Sequence, residues 1–127
     1  MVQEGRVAVA RTRANPFSGE WQITSTDMWD AKELGAARLT FDCDRSGELE
    51  IIAIAASVDY RLGTRDDGPI VEFSWEGDDD GSPISGRGWA RATAGGLTGG
   101  LFIHGGDEST FTARRPDKQR RRRYRRS

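Results

Sequence analysis

The residues of this chain that could do chemistry are carboxylates, arginines and one histidine on outward-facing strand positions. They are Asp59, Arg61, Glu72, Glu76, Arg87, His104 and Asp107. An imidazole beside a carboxylate can act as a general base, and a nearby arginine can hold an anion. Glu72, His104 and Arg61 therefore form a candidate catalytic set. In the simpler alternative, Arg61 and Glu72 face each other on adjacent strands as an exposed ion pair worth about 0.2–1 kcal/mol.

The sequence contains none of the metal-binding or phosphate-binding motifs that often accompany such residues in an active site. His104 is the single histidine and Cys43 the single cysteine, which excludes His/Cys zinc patterns and an internal disulfide. The acidic loop GDDDGSP (77–83) lacks the ligand spacing of an EF-hand, which favours a solvated turn. The glycines of GGLTGG and HGGD join strand to strand, whereas phosphate-binding loops lead into a helix. We predict no metal and no cofactor, and treat catalysis as an alternative to binding.

The four tryptophans suggest a binding role instead. Trp21 and Trp75 occupy inward positions of their strands, where they ordinarily fill a core. Trp29 and Trp89, the latter next to the Gly-Arg-Gly sequence at 86–88, could line the mouth of a barrel. Aromatic side chains with a few polar groups suit a small, partly apolar ligand. The predicted ligand-binding residues are Trp29, Arg61, Glu72, Trp75, Arg87, Trp89 and His104.

The elements that must position these side chains are mostly β-strands. Apolar and polar residues alternate in segments separated by Gly, Asp and Pro turn signals. These segments are 20–26, 37–43, 48–62, 70–76, 87–93, 101–104 and 110–114. In the 70–76 segment the alternation directs Val71, Phe73 and Trp75 inward and leaves Glu72 outward.

Three details of this pattern are specific enough to check. In 37–43 the alternation places Leu39, Phe41 and Cys43 on one face. The run 48–62 contains no turn residue, and its inward residues change phase between its start (Leu49, Ile51) and its end (Val58, Tyr60, Leu62), which predicts a β-bulge between 51 and 58. The segment 27–35 reads as a helix of about two turns, with Asp27 as its N-cap and Gly35 closing it.

The predicted fold is all-β, with about seven or eight antiparallel strands joined by short turns and one short capping helix. Such a chain forms a small up-and-down barrel of the calycin type or a strongly curled meander. The predicted organisation is a flexible lead-in over 1–18, one barrel domain over 19–114 and a disordered Arg-rich tail over 115–127. A chain of 127 residues with 35% apolar content supports a single domain.

The charge is divided sharply along the chain. Residues 1–113 carry 10 Lys and Arg against 19 Asp and Glu, whereas residues 114–127 carry nine against one. A run of like charges does not fold alone, but it can bind nucleic-acid phosphates. Tyr124 could then stack on a base. The predicted nucleic-acid-binding residues are Arg120, Arg121, Arg122, Arg123, Tyr124, Arg125 and Arg126.

The chain has neither an apolar run long enough to span a bilayer nor a signal-peptide core near its start, so we expect a cytoplasmic protein. The blocks WQIT, MWD, VDYR, VEFSWEG, GRGW and FIHGGDES occur in this order over residues 16–114. In these blocks the chain resembles a family of small, single-domain bacterial proteins. That resemblance implies no activity, because the family has none assigned.

Function is predicted at the level of class. The first hypothesis is a non-catalytic binding module that takes a small, partly apolar ligand or a protein partner at the barrel mouth. The second is a nucleic-acid-associated protein that binds through its tail. The third is an enzyme that uses Glu72, His104 and Arg61.

Overall fold

Eight antiparallel strands close into a barrel in the computed structural model, which describes residues 15–66 and 68–116. The strands are β1 (Gly19–Thr26), β2 (Arg38–Phe41), β3 (Ser46–Ile51), β4 (Ile54–Arg65), β5 (Gly68–Asp79), β6 (Ser82–Thr93), β7 (Gly96–Ile103) and β8 (Glu108–Arg114). One helical turn, α1 (Ala31–Leu34), separates β1 from β2. Each strand pairs with the next, and β8 pairs with β1. The predicted all-β barrel with one short helix is confirmed.

The up-and-down order gives the barrel two distinct ends. The helix end carries α1 and the turns 52–53, 80–81 and 104–107. The tail end carries residues 15–18, the turns 42–45 and 94–95, the β4–β5 turn, and residues 115–116. Both ends of the described chain therefore lie at the tail end.

The barrel interior is occupied by the protein's own side chains. The buried aromatic residues are Phe17, Trp21, Phe41, Tyr60, Phe73, Trp75 and Phe111. Phe41 packs edge-on against Tyr60 and Phe73, with ring centroids 4.9 and 5.7 Å apart. Val71, Phe73 and Trp75 are all buried, as their alternation predicts. A cavity near α1 has a volume of about 10 Å³, roughly the minimum that holds one water molecule.

Residues that the sequence assigned to the lead-in pack onto the barrel. The Phe17 side chain is fully buried, and the Trp21 indole N–H donates to the Phe17 carbonyl oxygen at 2.8 Å. Arg115 lies over the Trp21 ring at 3.7 Å from its centroid. Its guanidinium donates to the carbonyl oxygens of Glu20 and Pro16. The remaining residues of the predicted lead-in and tail, 1–14 and 117–127, lie outside the described residues.

The helix prediction was right in place but wrong in length and cap. The helix begins after Asp30, whose backbone N–H donates to the Glu33 carboxylate at 3.0 Å, and Gly35 closes it with a φ of 53°. Asp27 is not the cap because its carboxylate is engaged elsewhere. It accepts hydrogen bonds from the hydroxyl and backbone N–H of Thr110 on β8.

The predicted β-bulge is wrong, because a tight turn produces the change of phase. The chain reverses at Ile52 and Ala53, so 48–62 is two strands paired through Ile51 and Ile54. Ile52 has a φ of 56°, a conformation that residues other than Gly, Asn and Asp rarely adopt. The sequence gives no turn signal because the residue that makes the turn is itself β-branched.

Two predicted inward side chains are exposed because their strands leave the barrel wall. β2 ends at Phe41 and the chain turns, so Cys43 faces solvent. β4 continues past its last pair with β3, Asp59 with Ser46, and Leu62 lies beyond that rim with 47% of its surface exposed.

Candidate functional site

The outward side chains of β4 to β7 form the candidate site, which we call the outer wall. Its members are Asp59, Arg61, Arg65, Glu72, Ser74, Arg87, Trp89, Arg91, Gly100 and Phe102. Strand register explains the grouping, because Arg61, Glu72 and Trp89 are successive partners across β4, β5 and β6. Arg87 lies two residues from Trp89 on the same face. The outer wall thus contains four of the seven predicted binding residues.

Small residues give the outer wall its concave surface. Two adjoining depressions of about 720 and 770 Å³ lie over β4 to β7 and share Asp59, Ser74, Arg87 and Phe102. Serines contribute much of the floor of the first depression: Ser57, Ser74 and Ser85. Together the two depressions make one shallow groove across the strands.

Trp89 is the central aromatic group of the outer wall. Its indole lies against β7, because a Cβ at Gly100 would come within 2.7 Å of the indole nitrogen. The guanidinium carbons of Arg65 and Arg91 lie 6.0 and 5.7 Å from the Trp89 ring centroid, at the outer limit of a cation–π contact. The absence of a side chain at Gly100 therefore lets the Trp89 ring lie close to the β7 backbone, and two arginines flank the ring.

The arginines of the outer wall divide into paired and unpaired groups. The Arg65 guanidinium contacts the Glu72 carboxylate at 3.2 Å, and Arg91 contacts Asp66 at 3.7 Å. The expected ion pair of Glu72 with Arg61 is wrong in its partner, because Arg65 takes that carboxylate. Within the described residues, neither Arg61 nor Arg87 has a carboxylate within 4.0 Å. These two cations are available to a ligand.

Two predicted binding residues, Trp75 and Trp29, lie away from the outer wall. Trp75 is buried in the core, and its indole N–H donates to the Arg87 carbonyl oxygen at 3.2 Å. Gly86 accommodates this ring, since a Cβ there would lie 2.6 Å from it. Trp29 is half-buried at the helix end. The predicted barrel-mouth location is therefore wrong for Arg87 and Trp89, which point outward from the middle of β6.

His104 lies at the helix end of the groove, in the turn after β7. Its backbone N–H donates to the Ser85 carbonyl oxygen at 2.8 Å, and its neighbours in the depression include Glu76. The register places it two strands and four residues from Glu72, roughly 16 Å away at ordinary sheet spacings. The structure does not bring the candidate catalytic set of Glu72, His104 and Arg61 together.

The charged groups of the described chain offer little metal chemistry. No group of three or more His, Cys, Asp or Glu side chains there is arranged to hold a metal ion. The acidic loop forms the β5–β6 turn, with Asp80 and Gly81 at positive φ. Hydrogen bonds from Thr110 lower the pKa of the Asp27 carboxyl below its ordinary value, and those from Ser46 do the same for the pKa of Asp44. The Asp44 carboxylate caps its own turn, whereas the Asp27 carboxylate joins the end of β1 to β8.

Sequence reasoning did not assign Arg65, Arg91 and Phe102 to a site, although a signal existed for each. Phe102 is two residues before His104, so the same alternation that turned His104 outward also applied to it. Arg65 and Arg91 continue the outward rows of Arg61 and Arg87 in the same way. What the sequence could not show is that these rows become neighbours, because that depends on strand register.

Comparisons with known proteins do not add to this geometry. Searches against protein-family models, curated proteins and solved structures returned no match. Among the described residues, no helix has both the length and the apolar character needed to cross a membrane. The predicted tail residues Arg120 to Arg126, including Tyr124, lie outside the described residues.

Proposed function

We propose that the protein is a non-catalytic binding module and that its ligand lies in the groove of the outer wall. The observation that carries this proposal is the position of Trp89. It is an aromatic ring on the outside of a sheet, bedded on Gly100 and flanked by two arginines. A tryptophan with no packing role in the core favours a contact with something outside the chain. The filled interior argues against a calycin-type ligand inside the barrel.

The side chains of the groove indicate a ligand that is partly apolar and negatively charged. Trp89 and Phe102 supply apolar surface, and 38% of the Phe102 surface is exposed. Arg61 and Arg87 supply guanidinium groups that no described carboxylate neutralises within 4.0 Å. A planar ring would stack on Trp89 while an anionic group contacts a guanidinium.

Nuclear magnetic resonance of the four indole N–H groups tests this proposal. The full chain is titrated with benzoate, indole-3-acetate and adenosine monophosphate. We expect a saturable shift of the Trp89 indole resonance with at least one of them. The Trp21 and Trp75 resonances serve as internal controls, because both rings are buried in the core. A response confined to Trp29 would move the site to the barrel mouth and contradict the proposal, as would no response from any probe.

An arginine comparison adds specificity to that titration. Arg87→Ala is expected to weaken binding of the responding probe by about three- to tenfold, the effect of losing one exposed charge-assisted contact. Arg38→Ala removes the same charge from β2, outside the outer wall, and should leave the affinity unchanged. Equal losses in the two variants would indicate a general charge effect and count against a site in the groove.

A second candidate function is nucleic-acid binding through the C-terminal tail. Its support is the charge of residues 114–127, nine Lys and Arg against one Asp. An enzyme built on Glu72, His104 and Arg61 has weaker support, because the register keeps His104 far from the other two.

A further inference from the structure

The helix end of the barrel is strongly acidic, whereas arginines balance the carboxylates of the outer wall. The described residues contain 17 Asp and Glu and nine Lys and Arg. The helix end carries eight carboxylates and one lysine, Lys32. The carboxylates are Asp27, Asp30, Glu33, Asp78, Asp79, Asp80, Asp107 and Glu108. The outer wall carries four arginines and two carboxylates, and with Glu76 in the groove and Asp66 on Arg91 its charges balance. A polyanion would therefore meet less repulsion on the outer wall than at the helix end.

The two aromatic rings of the outer wall, half-buried Trp89 and exposed Phe102, are neighbours across β6 and β7. Trp89 pairs with Gly100, and Phe102 is two residues further along β7, which makes it a diagonal neighbour. Such neighbours are about 7–8 Å apart and within reach of each other's side chains. Arg87 is the direct cross-strand partner of Phe102, and Arg91 flanks Trp89. Each ring thus has a guanidinium beside it.

The tail end carries further arginines, and its turns carry Asp42, Asp44 and Asp66. Arg65 and Arg91 lie on the part of the outer wall nearest the tail end, where β8 ends at Arg114. Arg115 is held on the barrel by Trp21 and by the carbonyl oxygens of Glu20 and Pro16. Arg65 and Arg91 of the outer wall therefore lie toward the same end of the barrel as Arg115.

We propose that the outer wall binds single-stranded nucleic acid, with bases stacked on Trp89 and Phe102 and phosphates on Arg61 and Arg87. This inference rests on the proposed function, because it names the ligand class of the same groove. Stacking on aromatic side chains and phosphate contacts from arginine are the two interactions that hold single strands on protein surfaces. A duplex keeps its bases stacked on each other, so the rings favour a single strand. The candidate site consists of these four side chains, and the contribution of residues 117–127 is tested separately by deletion.

Fluorescence anisotropy with labelled 12-nucleotide oligo(dT) and oligo(U) tests the inference on the full chain. Measurements at about 50 and 150 mM salt separate phosphate contacts from stacking. We expect Trp89→Ala with Phe102→Ala to weaken binding tenfold or more at both salt concentrations, since stacking contributes roughly that much per base. Trp89→Phe, which keeps a ring, should retain most of the affinity. Circular dichroism confirms that the variants remain folded.

A matched pair of charge variants tests the phosphate contacts. Arg61→Ala with Arg87→Ala is expected to reduce the dependence of binding on salt by about one to two released ions. Arg38→Ala with Lys32→Ala removes the same charge from β2 and α1 and should change the salt dependence of binding less. Deletion of residues 117–127 should weaken binding while the loss caused by the Trp89 and Phe102 substitutions persists in the shortened chain.

The outcomes separate this inference from the proposed function. The inference would be overturned if deletion of residues 117–127 abolished oligonucleotide binding while Trp89→Ala with Phe102→Ala left it unchanged. Nucleic-acid binding would then be assigned to the tail alone. Oligonucleotides that do not bind, while Trp89 responds to benzoate or indole-3-acetate, would overturn the inference and leave the proposed function standing. Equal affinity for a 12-base-pair duplex would also overturn it, because base stacking would then contribute nothing.

Discussion

At the scale of single residues, the direction of a side chain decides its role more than its chemical type does. Trp75 and Trp89 are both on long strands, yet one is a buried core residue and the other is a half-buried residue at the centre of the groove. Glycine is the counterpart of both rings: Gly86 leaves room for Trp75 inside, and Gly100 for Trp89 outside. A tryptophan paired with a glycine on the next strand thus occurs on both faces of the sheet. The ring can be assigned to the core or to the groove only when the inward and outward positions are known.

Ile52 is the residue at which local conformation and residue type disagree most. Its φ of 56° costs an L-residue about 1–2 kcal/mol, and its exposed side chain offsets little of that cost. We expect Ile52→Gly to raise the free energy of unfolding by about 0.5–1 kcal/mol, after the extra entropy of glycine in the unfolded chain. Urea unfolding measures the change.

The adjacent residue provides the control for this substitution. Ala53 does not have a positive φ. Ala53→Gly therefore incurs only the entropy cost of glycine and should lower the stability by about 0.5–1 kcal/mol. A destabilised Ile52→Gly variant would show that Ile52 is not strained.

At the scale of elements, β6 joins the core and the groove. Its residues alternate between inward glycines, which accept the rings of β5, and outward Arg87, Trp89 and Arg91. Gly88 is the inward residue opposite Phe73. The core rings on the inner face of β6 therefore set how far its backbone lies from the barrel axis. They thereby also set the position of the groove side chains on its outer face.

Gly88→Ala tests the fit between β6 and the core. The new Cβ would lie 2.4 Å from the Phe73 ring and 2.9 Å from the Gly100 carbonyl oxygen, so the strand itself must shift. We expect a loss of stability of about 1–3 kcal/mol, measured by urea unfolding, together with a shifted Trp89 indole resonance. Gly95→Ala is the control, because no atom lies within 4 Å of its Cβ position. Similar stabilities of the two variants would contradict this account.

At the scale of the whole molecule, the barrel depends on the seam where its last strand meets its first. The pairing of β1 with β8 shifts register between Ile23 and Ser25. Side-chain hydrogen bonds reinforce the seam at this point: Thr112 contacts Thr24 and Ser25, and the Asp27 carboxylate accepts from Thr110 at 2.7 Å. Closure removes the exposed edges that an open sheet of this size would carry.

Asp27 makes the closure dependent on pH. The Thr110 hydrogen bonds favour the charged carboxylate and lower the pKa of Asp27 in the folded protein. Its contribution to stability is therefore fully present above the unfolded pKa of about 4, and it is lost as the pH falls through the lower folded pKa. We expect Asp27→Asn to be less stable than the original protein at pH 7 and to approach it near pH 2, as measured by thermal unfolding.

Asp79→Asn is the control for the loss of one negative charge at the helix end. Asp79 is on β5, so this substitution leaves the seam intact. It should not reproduce the pH-dependent difference. A stability difference for Asp27→Asn that stays constant between pH 7 and pH 2 would contradict a role for the ionised carboxylate.

The sequence by itself determined the all-β class with seven or eight strands, the inward row of Val71, Phe73 and Trp75, and the outward direction of Arg61 and Glu72. These features follow from alternation with period two, which is a local property of the chain. The turn at Ile52 escaped prediction because its residue type opposes its conformation.

Tertiary structure alone decided that Arg65, Arg91 and Phe102 gather around Trp89 and that His104 lies apart from Glu72. Strand register makes distant residues into neighbours, and it is set by the packing of the whole barrel. Alternation shows that Trp89 faces away from the core, but it does not show how far along the barrel the residue lies. Register supplies that position, and it places Trp89 on the outer wall and not at the mouth.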